Sequence, residues 1–224
     1  MALILILPVI TLFPYRADHL FSDGTNLYLT YDQRLYESES ESLDFRPLLL
    51  SLPTGFRIRY LDGDRFFLYL GDGRRVYRVR RSDLSLRLYR EGEGIVDLSC
   101  DDEGRVMTVV DWGERVLLDG RSILPGIGRI VGCGYEDGFY LYDRKRIIFL
   151  NPLFEVDSVI PLPEPNLRVI KSDTIFAYDE EHLYKYYEGS WHRLSLPVTI
   201  QSLLPVRKGL LVIDDNSHLR LLTD

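Results

Sequence analysis

Short apolar runs broken by polar turns repeat along the whole chain. In each repeat an apolar run stops at an aspartate, a tight turn follows, and an Arg or His opens a second apolar run. Short strands at ~8–12-residue spacing with Gly and Asp turns are typical of all-β folds. The repeated aspartates are 40, 39, 32, 36 and 35 residues apart, and they are Asp32, Asp72, Asp111, Asp143, Asp179 and Asp214.

Four strands are predicted in each full repeat, and no window shows the apolar stripe with caps that a helix needs. A period of ~36 residues with four strands favours a six-bladed β-propeller over a sandwich or barrel, with five or seven blades as alternatives. We expect a single domain over residues 1–224. Its units are predicted at about 18–53, 54–94, 95–128, 129–165, 166–197 and from Ile200 onward.

The last unit contains only three predicted strands. The apolar run Ala2–Leu7 precedes the first unit, and Val9–Arg16 is predicted to be a connection. If Ala2–Leu7 pairs as the outermost strand of the last unit, every blade has four strands and no sheet edge is left open. The pattern therefore predicts closure by the N-terminal strand.

The repeats resemble those of the β-propeller superfamily over essentially the whole chain. The segment Tyr187–Pro197 is similar to the third-to-fourth-strand segment of kelch repeats, in which a Trp, here Trp191, begins the outer strand. The aspartate between strands two and three is similar to that of WD repeats. The double glycine of kelch repeats and the Trp-Asp ending of WD repeats are missing, so the resemblance extends to the superfamily only. It implies a central channel and a binding face made by the two–three turns and the loops between blades.

Composition narrows the classes of function. A net charge of −7 argues against a general nucleic-acid binder and against a protein of anionic membranes. The chain has 23 Arg but 4 Lys, 2 Gln and 4 Asn, which suggests a thermophile, with the base composition of the genome as the alternative reason for the Arg excess. The N-terminal run lacks the basic region and cleavage site of a signal peptide, so we expect a cytoplasmic protein. Cys100 and Cys133 are interpreted as buried thiols, with a disulfide as the alternative.

The repeated aspartates have two interpretations. A ring of carboxylates could bind a cation or a basic partner, but Asp also stabilises tight turns by accepting nearby backbone N–H groups. Repetition in every unit favours the structural role. His182 and His218, at equivalent positions in consecutive units, are weak candidates for metal ligands, with turn anchoring as the alternative. No cofactor is expected.

Unit 2 is rich in arginine, with ten Arg in 41 residues. Arg74, Arg78 and Arg80 are predicted to share one face of its third strand, with Arg87 on the fourth strand beside them. This cationic stripe, next to a predicted acidic loop at Glu37–Asp44, could bind an acidic protein or a nucleic-acid backbone, or be a solvated face.

Two tryptophans have different predicted roles. Trp112 lies in a two–three turn, where an exposed aromatic could anchor a partner. Trp191 is predicted to lie in the core between blades.

No catalytic motif occurs: neither a Gly-x-Ser-x-Gly elbow, a P-loop, HExxH nor a dinucleotide fingerprint. About 36 residues per blade also leave little chain for the insertions that carry catalytic groups in enzymatic propellers. The sequence therefore predicts a non-catalytic scaffold or adaptor subunit that binds another protein. The alternatives are a small metal-dependent hydrolase or lactonase with its site at the channel, and a carbohydrate-binding propeller.

Overall fold

The structure, a computed structural model, describes residues 10–11, 17–23, 26–39, 42–196, 198–207 and 209–222. Within these ranges the chain forms six four-stranded antiparallel sheets. The fold is that of a six-bladed β-propeller with one sheet per blade, as the repeat predicts. The only helical element in the described ranges is the 3-10 turn Asp111–Gly113, so none of their helices could cross a membrane.

The sheets follow the chain order. The first three contain β2 (His19–Ser22), β3 (Asn26–Tyr31), β4 (Arg34–Glu39) and β5 (Arg46–Leu48); β6 (Tyr60–Gly63), β7 (Phe67–Gly71), β8 (Arg75–Arg80) and β9 (Leu86–Glu91); and β10 (Asp97–Cys100), β11 (Val106–Val110), β12 (Arg115–Leu118) and β13 (Arg121–Ile123). The last three contain β14 (Gly132–Tyr135), β15 (Phe139–Tyr142), β16 (Arg146–Leu150) and β17 (Val156–Pro161); β18 (Arg168–Lys171), β19 (Ile175–Tyr178), β20 (Leu183–Tyr187) and β21 (Ser190–Leu194); and β22 (Ser202–Val206), β23 (Gly209–Ile213), β24 (Leu219–Leu222) and β1 (Ile10–Thr11).

Two compact units make up the chain, Met1–Leu49 with Ser172–Asp224, and Leu50–Lys171. In the second unit, apolar clusters fill the space between consecutive sheets. Met107 of β11 packs with Leu141 of the following sheet, and Val106 of β11 packs with Tyr69 of the preceding one. Because both faces of the sheet are covered, all five residues of β11 are buried, including Thr108 at its centre.

The first strand of a sheet has a partner strand on one side only, so the N–H groups of its other edge need other acceptors. In the second unit, aspartates on the first strands of the preceding sheets accept them. Asp62 Oδ2 accepts the Cys100 N–H at 2.9 Å, and Asp97 Oδ2 accepts the Cys133 N–H at 3.1 Å. Side chains of one sheet therefore replace the missing partner strand of the next.

At two further first strands, hydroxyl groups accept the N–H group at the free edge. The Tyr140 hydroxyl oxygen accepts the Lys171 N–H at 3.2 Å in the second unit. In the first unit, Ser202 Oγ accepts the Leu20 N–H at 3.4 Å. The acceptor changes from carboxylate to phenol to hydroxyl, while the position of the donor on a first strand is kept.

The turns between second and third strands are also tied to neighbouring sheets. Where the chain enters or approaches a first strand, a backbone N–H donates to a carbonyl of such a turn within the same compact unit. The pairs, donor first, are Ala17–Ser217 at 2.7 Å, Ile95–Gly73 at 3.0 Å, Ile130–Gly113 at 2.8 Å, Asn166–Arg144 at 2.8 Å and Ile200–Glu180 at 2.9 Å.

A strand from the N-terminal segment completes the last sheet, as predicted. The strand is β1, which pairs antiparallel with β24 through Ile10 opposite Leu221 and Thr11 opposite Arg220. It lies inside the stretch predicted to be a connection, so that boundary was wrong. The predicted strand Ala2–Leu7 lies outside the described residues.

The described residues of the acidic segment Glu37–Asp44, which was predicted to be a loop, include the end of a strand and a buried leucine. Strand β4 continues to Glu39, and Glu37 accepts a hydrogen bond from the Tyr28 hydroxyl at 2.9 Å. Leu43 is buried. The Tyr28 hydroxyl and the buried Leu43 therefore hold parts of this segment against the body of the protein despite its charge.

We expect Asp62→Ala to lower the free energy of unfolding by about 1–3 kcal/mol, because it leaves a buried backbone N–H without an acceptor. Asp62→Asn, which keeps an acceptor oxygen, should cost less. The measurement is urea unfolding, with the exposed turn variant Asp102→Ala as control. Equal stability of Asp62→Ala and the unaltered protein would contradict the role of these contacts.

Candidate functional site

Four of the six repeated aspartates accept backbone N–H groups of their own turns. Asp72 Oδ1 accepts the N–H groups of Arg74 at 2.9 Å and Arg75 at 2.7 Å, and Asp72 Oδ2 pairs with the Arg75 guanidinium at 2.7 Å. The same arrangement recurs at three further turns, between Asp143 and Arg146, Asp179 and His182, and Asp214 and Arg220. These contacts support the structural interpretation of the repeated aspartates.

The electrostatics of these turns agree with that interpretation. Burial works to raise the pKa of Asp72, but N–H groups of Arg74 and Arg75 and the Arg75 guanidinium outweigh it, so the pKa lies below its ordinary value. The pKa of Asp143 is lowered in the same way. Such carboxylates stabilise the fold above about pH 4 and lose that contribution as the pH falls further.

The two histidines lie beside the carboxylates of their own turns. His182 Nδ1 is 3.2 Å from Asp179 Oδ2, and His218 Nδ1 is 3.8 Å from Asp214 Oδ1. Their backbone N–H groups donate to the same two aspartates. These contacts agree with turn anchoring, which was the alternative to metal binding.

The turn that carries Trp112 has a left-handed backbone, a conformation it shares with the turn of Asp32 and Gln33. Asp111 and Trp112 are both in the left-handed region, with φ of 52° and 58°, a conformation that L-residues adopt at a cost. Asp111 forms a salt bridge with Arg115. The surrounding chain holds the turn: the Trp112 N–H donates to Gly94 O at 2.9 Å, and Arg129 Nε donates to Trp112 O at 2.8 Å.

Two glycines allow this turn. A Cβ at Gly94 would lie 2.7 Å from Trp112 N and 2.9 Å from its ring, and a Cβ at Gly113 would lie 2.0 Å from Ile130 O. The backbone of Trp112 is therefore fixed and its ring lies against Gly94, while 66% of the residue is exposed. An exposed aromatic on a fixed backbone has little conformational entropy to lose when a partner covers it.

The structure separates the arginines of the predicted stripe. Arg74 lies in the turn before β8, whereas Arg80 is the last residue of β8 and pairs with Asp83 at 3.3 Å. Arg78 and Arg87 are directly opposite each other on β8 and β9. The chain therefore brings Arg78 and Arg87 together and places Arg74 and Arg80 at opposite ends of the strand.

The segment that begins at Tyr187 forms the turn from β20 to β21 and then β21 itself. Trp191 is half-buried on β21, and its ring centroid lies 5.0 Å from that of Tyr186, directly opposite on β20. Cys100 and Cys133 are both buried and free. Burial raises the pKa of both thiols, which makes them poor nucleophiles.

The sequence did not single out Asp62 and Asp97, the two aspartates that accept N–H groups from the first strand of the next sheet. They are called the inner-edge aspartates below. Asp62 lies in β6 and Asp97 in β10, each on the first strand of its sheet. Burial raises the pKa of Asp97 to about 7, against the N–H groups of Cys133 and Leu98, and the charge of Asp62 adds to the rise. Such a pKa is also found at acid–base centres, but both Asp97 oxygens already accept backbone N–H groups.

No protein-family model and no curated protein sequence matches the chain. Solved structures match it at the level of fold. Virginiamycin B lyase from Staphylococcus aureus is 10% identical, with a TM-score of 0.63 over 92% of this chain and 79% of that one. YCF48 bound to D1 peptide is 12% identical, with a TM-score of 0.58 over 94% and 78%. BBS1N in complex with ARL6DN is 15% identical, with a TM-score of 0.59 over 91% and 77%. At these identities the likeness shows a β-propeller and no specific family.

We expect the free energy of unfolding to fall as the pH rises from about 4 to about 7. In this window the folded protein keeps the Asp97 proton that the unfolded chain releases near pH 4, so the folded state binds more protons. In Asp97→Asn the side chain cannot titrate, so the free energy of unfolding should vary less with pH between about 4 and 7. The measurement is urea unfolding at several pH values. Asp102→Asn, at an exposed turn, should leave the slope unchanged. A slope in Asp97→Asn equal to that of the unaltered protein would contradict the raised pKa.

Proposed function

We propose that this chain is a non-catalytic interaction scaffold, an adaptor subunit that binds another protein through the turn carrying Trp112. The observation that carries the proposal is the 66% exposure of Trp112 on a backbone held by Gly94 and Arg129. Exposed tryptophan is enriched among the residues that contribute most to protein–protein binding. Asp111 and Glu114 beside it supply the polar rim that such an anchor needs.

The other side chains of the predicted site fit this function better than catalysis. Four of the six repeated carboxylates accept N–H groups of their own turns, and the inner-edge aspartates accept backbone N–H groups. The β-propeller neighbours include one bound to a peptide and one in complex with another protein, which supports a protein partner, and also a lyase. Two free cysteines agree with the reducing conditions of the cytoplasm, where we place the protein.

We expect Trp112→Ala to remove a stoichiometric protein partner captured by the full-length chain from extracts of its native source. Loss of a central anchor costs about 2 kcal/mol or more, a factor of about 30 in affinity. The measurement is affinity capture with quantitative mass spectrometry. The matched control is Tyr187→Ala, which removes another exposed aromatic, 56% of it exposed, from the end of β20.

Both variants should unfold like the unaltered protein, because both rings are mostly exposed. A partner that is retained equally by Trp112→Ala and by the unaltered chain would contradict the proposed site. Absence of any stoichiometric partner would contradict the scaffold function itself.

A further inference from the structure

Two arginines face each other on the outer strands of the second blade. Arg78 on β8 and Arg87 on β9 are directly opposite, so their side chains project from the same face of the sheet. Cβ atoms of directly opposite residues on antiparallel strands are ~4.5–5.5 Å apart, and like charges there are destabilising. The fold therefore places the stems of two arginines side by side, within reach of one common anion.

Neither Arg78 nor Arg87 forms an ion pair in the described part of the chain. The Arg78 guanidinium hydrogen-bonds the side chain of Tyr69, a neutral group that leaves its charge uncompensated. Two carboxylates of the same region are engaged elsewhere. Asp83 pairs with Arg80 at 3.3 Å and accepts the Ser85 N–H at 2.9 Å, and Asp119 accepts the Val106 N–H at 2.9 Å.

The two guanidinium groups differ in how firmly they are placed. The guanidinium carbon of Arg78 lies 4.5 Å from the ring centroid of Phe67, a cation–π contact that fixes its position without satisfying its charge. Arg87 is exposed. A positioned guanidinium beside an accessible one offers several N–H donors to one oxyanion, the geometry in which arginine binds carboxylate and phosphate best.

We propose that Arg78 and Arg87 form an anion-binding pair that receives one acidic side chain of a partner protein, either a carboxylate or a phosphate group. This inference rests on the interaction function proposed above and adds the chemistry that the partner presents. Arg74 is outside the pair because it lies in the turn before β8, and Arg80 is outside it because it pairs with Asp83.

The charge distribution favours a protein over a nucleic acid. Nucleic-acid binding depends on neutralising a series of phosphates along a backbone, whereas here two arginines without carboxylate partners match a single anionic group. The chain as a whole carries a net charge of −7, which repels a polyanion more strongly than it repels one acidic side chain.

The test is titration of the full-length protein with three hexapeptides that differ at one position, which is phosphoserine, Glu or Ala, and with a single-stranded oligonucleotide. NMR signals of the arginine Nε–H groups report which side chains bind. The double variant Arg78→Gln/Arg87→Gln is compared with Arg121→Gln/Arg144→Gln, which removes the same charge from exposed arginines elsewhere.

We expect the phosphoserine or the Glu peptide to shift the Arg78 and Arg87 signals, and the Ala peptide to leave them unchanged. The dissociation constant should rise at least about tenfold in Arg78→Gln/Arg87→Gln, because charge-assisted hydrogen bonds are lost, and should be unchanged in the control. The peptide that binds more tightly identifies carboxylate or phosphate as the natural group. No shift with either acidic peptide, or tighter pair-dependent binding of the oligonucleotide, would overturn the proposal.

A second variant separates loss of binding from loss of folding. Arg87→Glu turns the like-charge pair into an opposite-charge pair, so its melting temperature should be equal or higher while peptide binding is lost. A lower melting temperature with retained binding would overturn the proposal. If acidic peptides bind at Arg78 and Arg87 but the chain captures no partner from extracts, the scaffold function is contradicted and this inference is not. If a partner is captured equally well by Arg78→Gln/Arg87→Gln, this inference is contradicted and the scaffold function is not.

Discussion

The unpaired edge of each first strand is the constraint on which the arrangement of neighbouring blades depends. A backbone N–H there has no partner strand, and leaving it unsatisfied where water is excluded costs free energy comparable to a lost hydrogen bond. In the second compact unit, side chains of the preceding sheet accept these N–H groups: Asp62 accepts that of Cys100, and Asp97 accepts that of Cys133. One contact therefore satisfies the edge and fixes the position of the next sheet.

A second set of contacts fixes the turns between second and third strands. Residues that lead to first strands donate N–H groups to these turns, as Ile130 does to Gly113. The turn of Trp112 receives more support than its neighbours, because its own N–H and carbonyl are also bonded, to Gly94 and Arg129. The same framework that holds the sheets thus presents the exposed indole on a fixed backbone, and this links the fold to the proposed binding site.

The features that could be predicted from the sequence are those made by local contacts. The turn at Asp72 is built from residues two and three positions away, so each repeat carries its own signature and the blades can be counted. Contacts that join distant residues leave no such pattern. Asp62 meets Cys100 38 residues later, and β1 pairs with β24 through only two residues. The Arg78–Arg87 pair depends on a register shift between Val76 and Tyr77, which strand alternation alone does not reveal. Trp112 was found because its turn breaks the repeat.

The rigidity of the Trp112 turn can be measured by amide hydrogen exchange in the native protein. If the inter-sheet hydrogen bonds hold the turn, the Trp112 and Ile130 amides should exchange far more slowly than the amide of Asp102, which lies in an exposed turn. Exchange of Trp112 and Ile130 as fast as that of Asp102 would contradict the claim that the framework presents the indole on a fixed backbone.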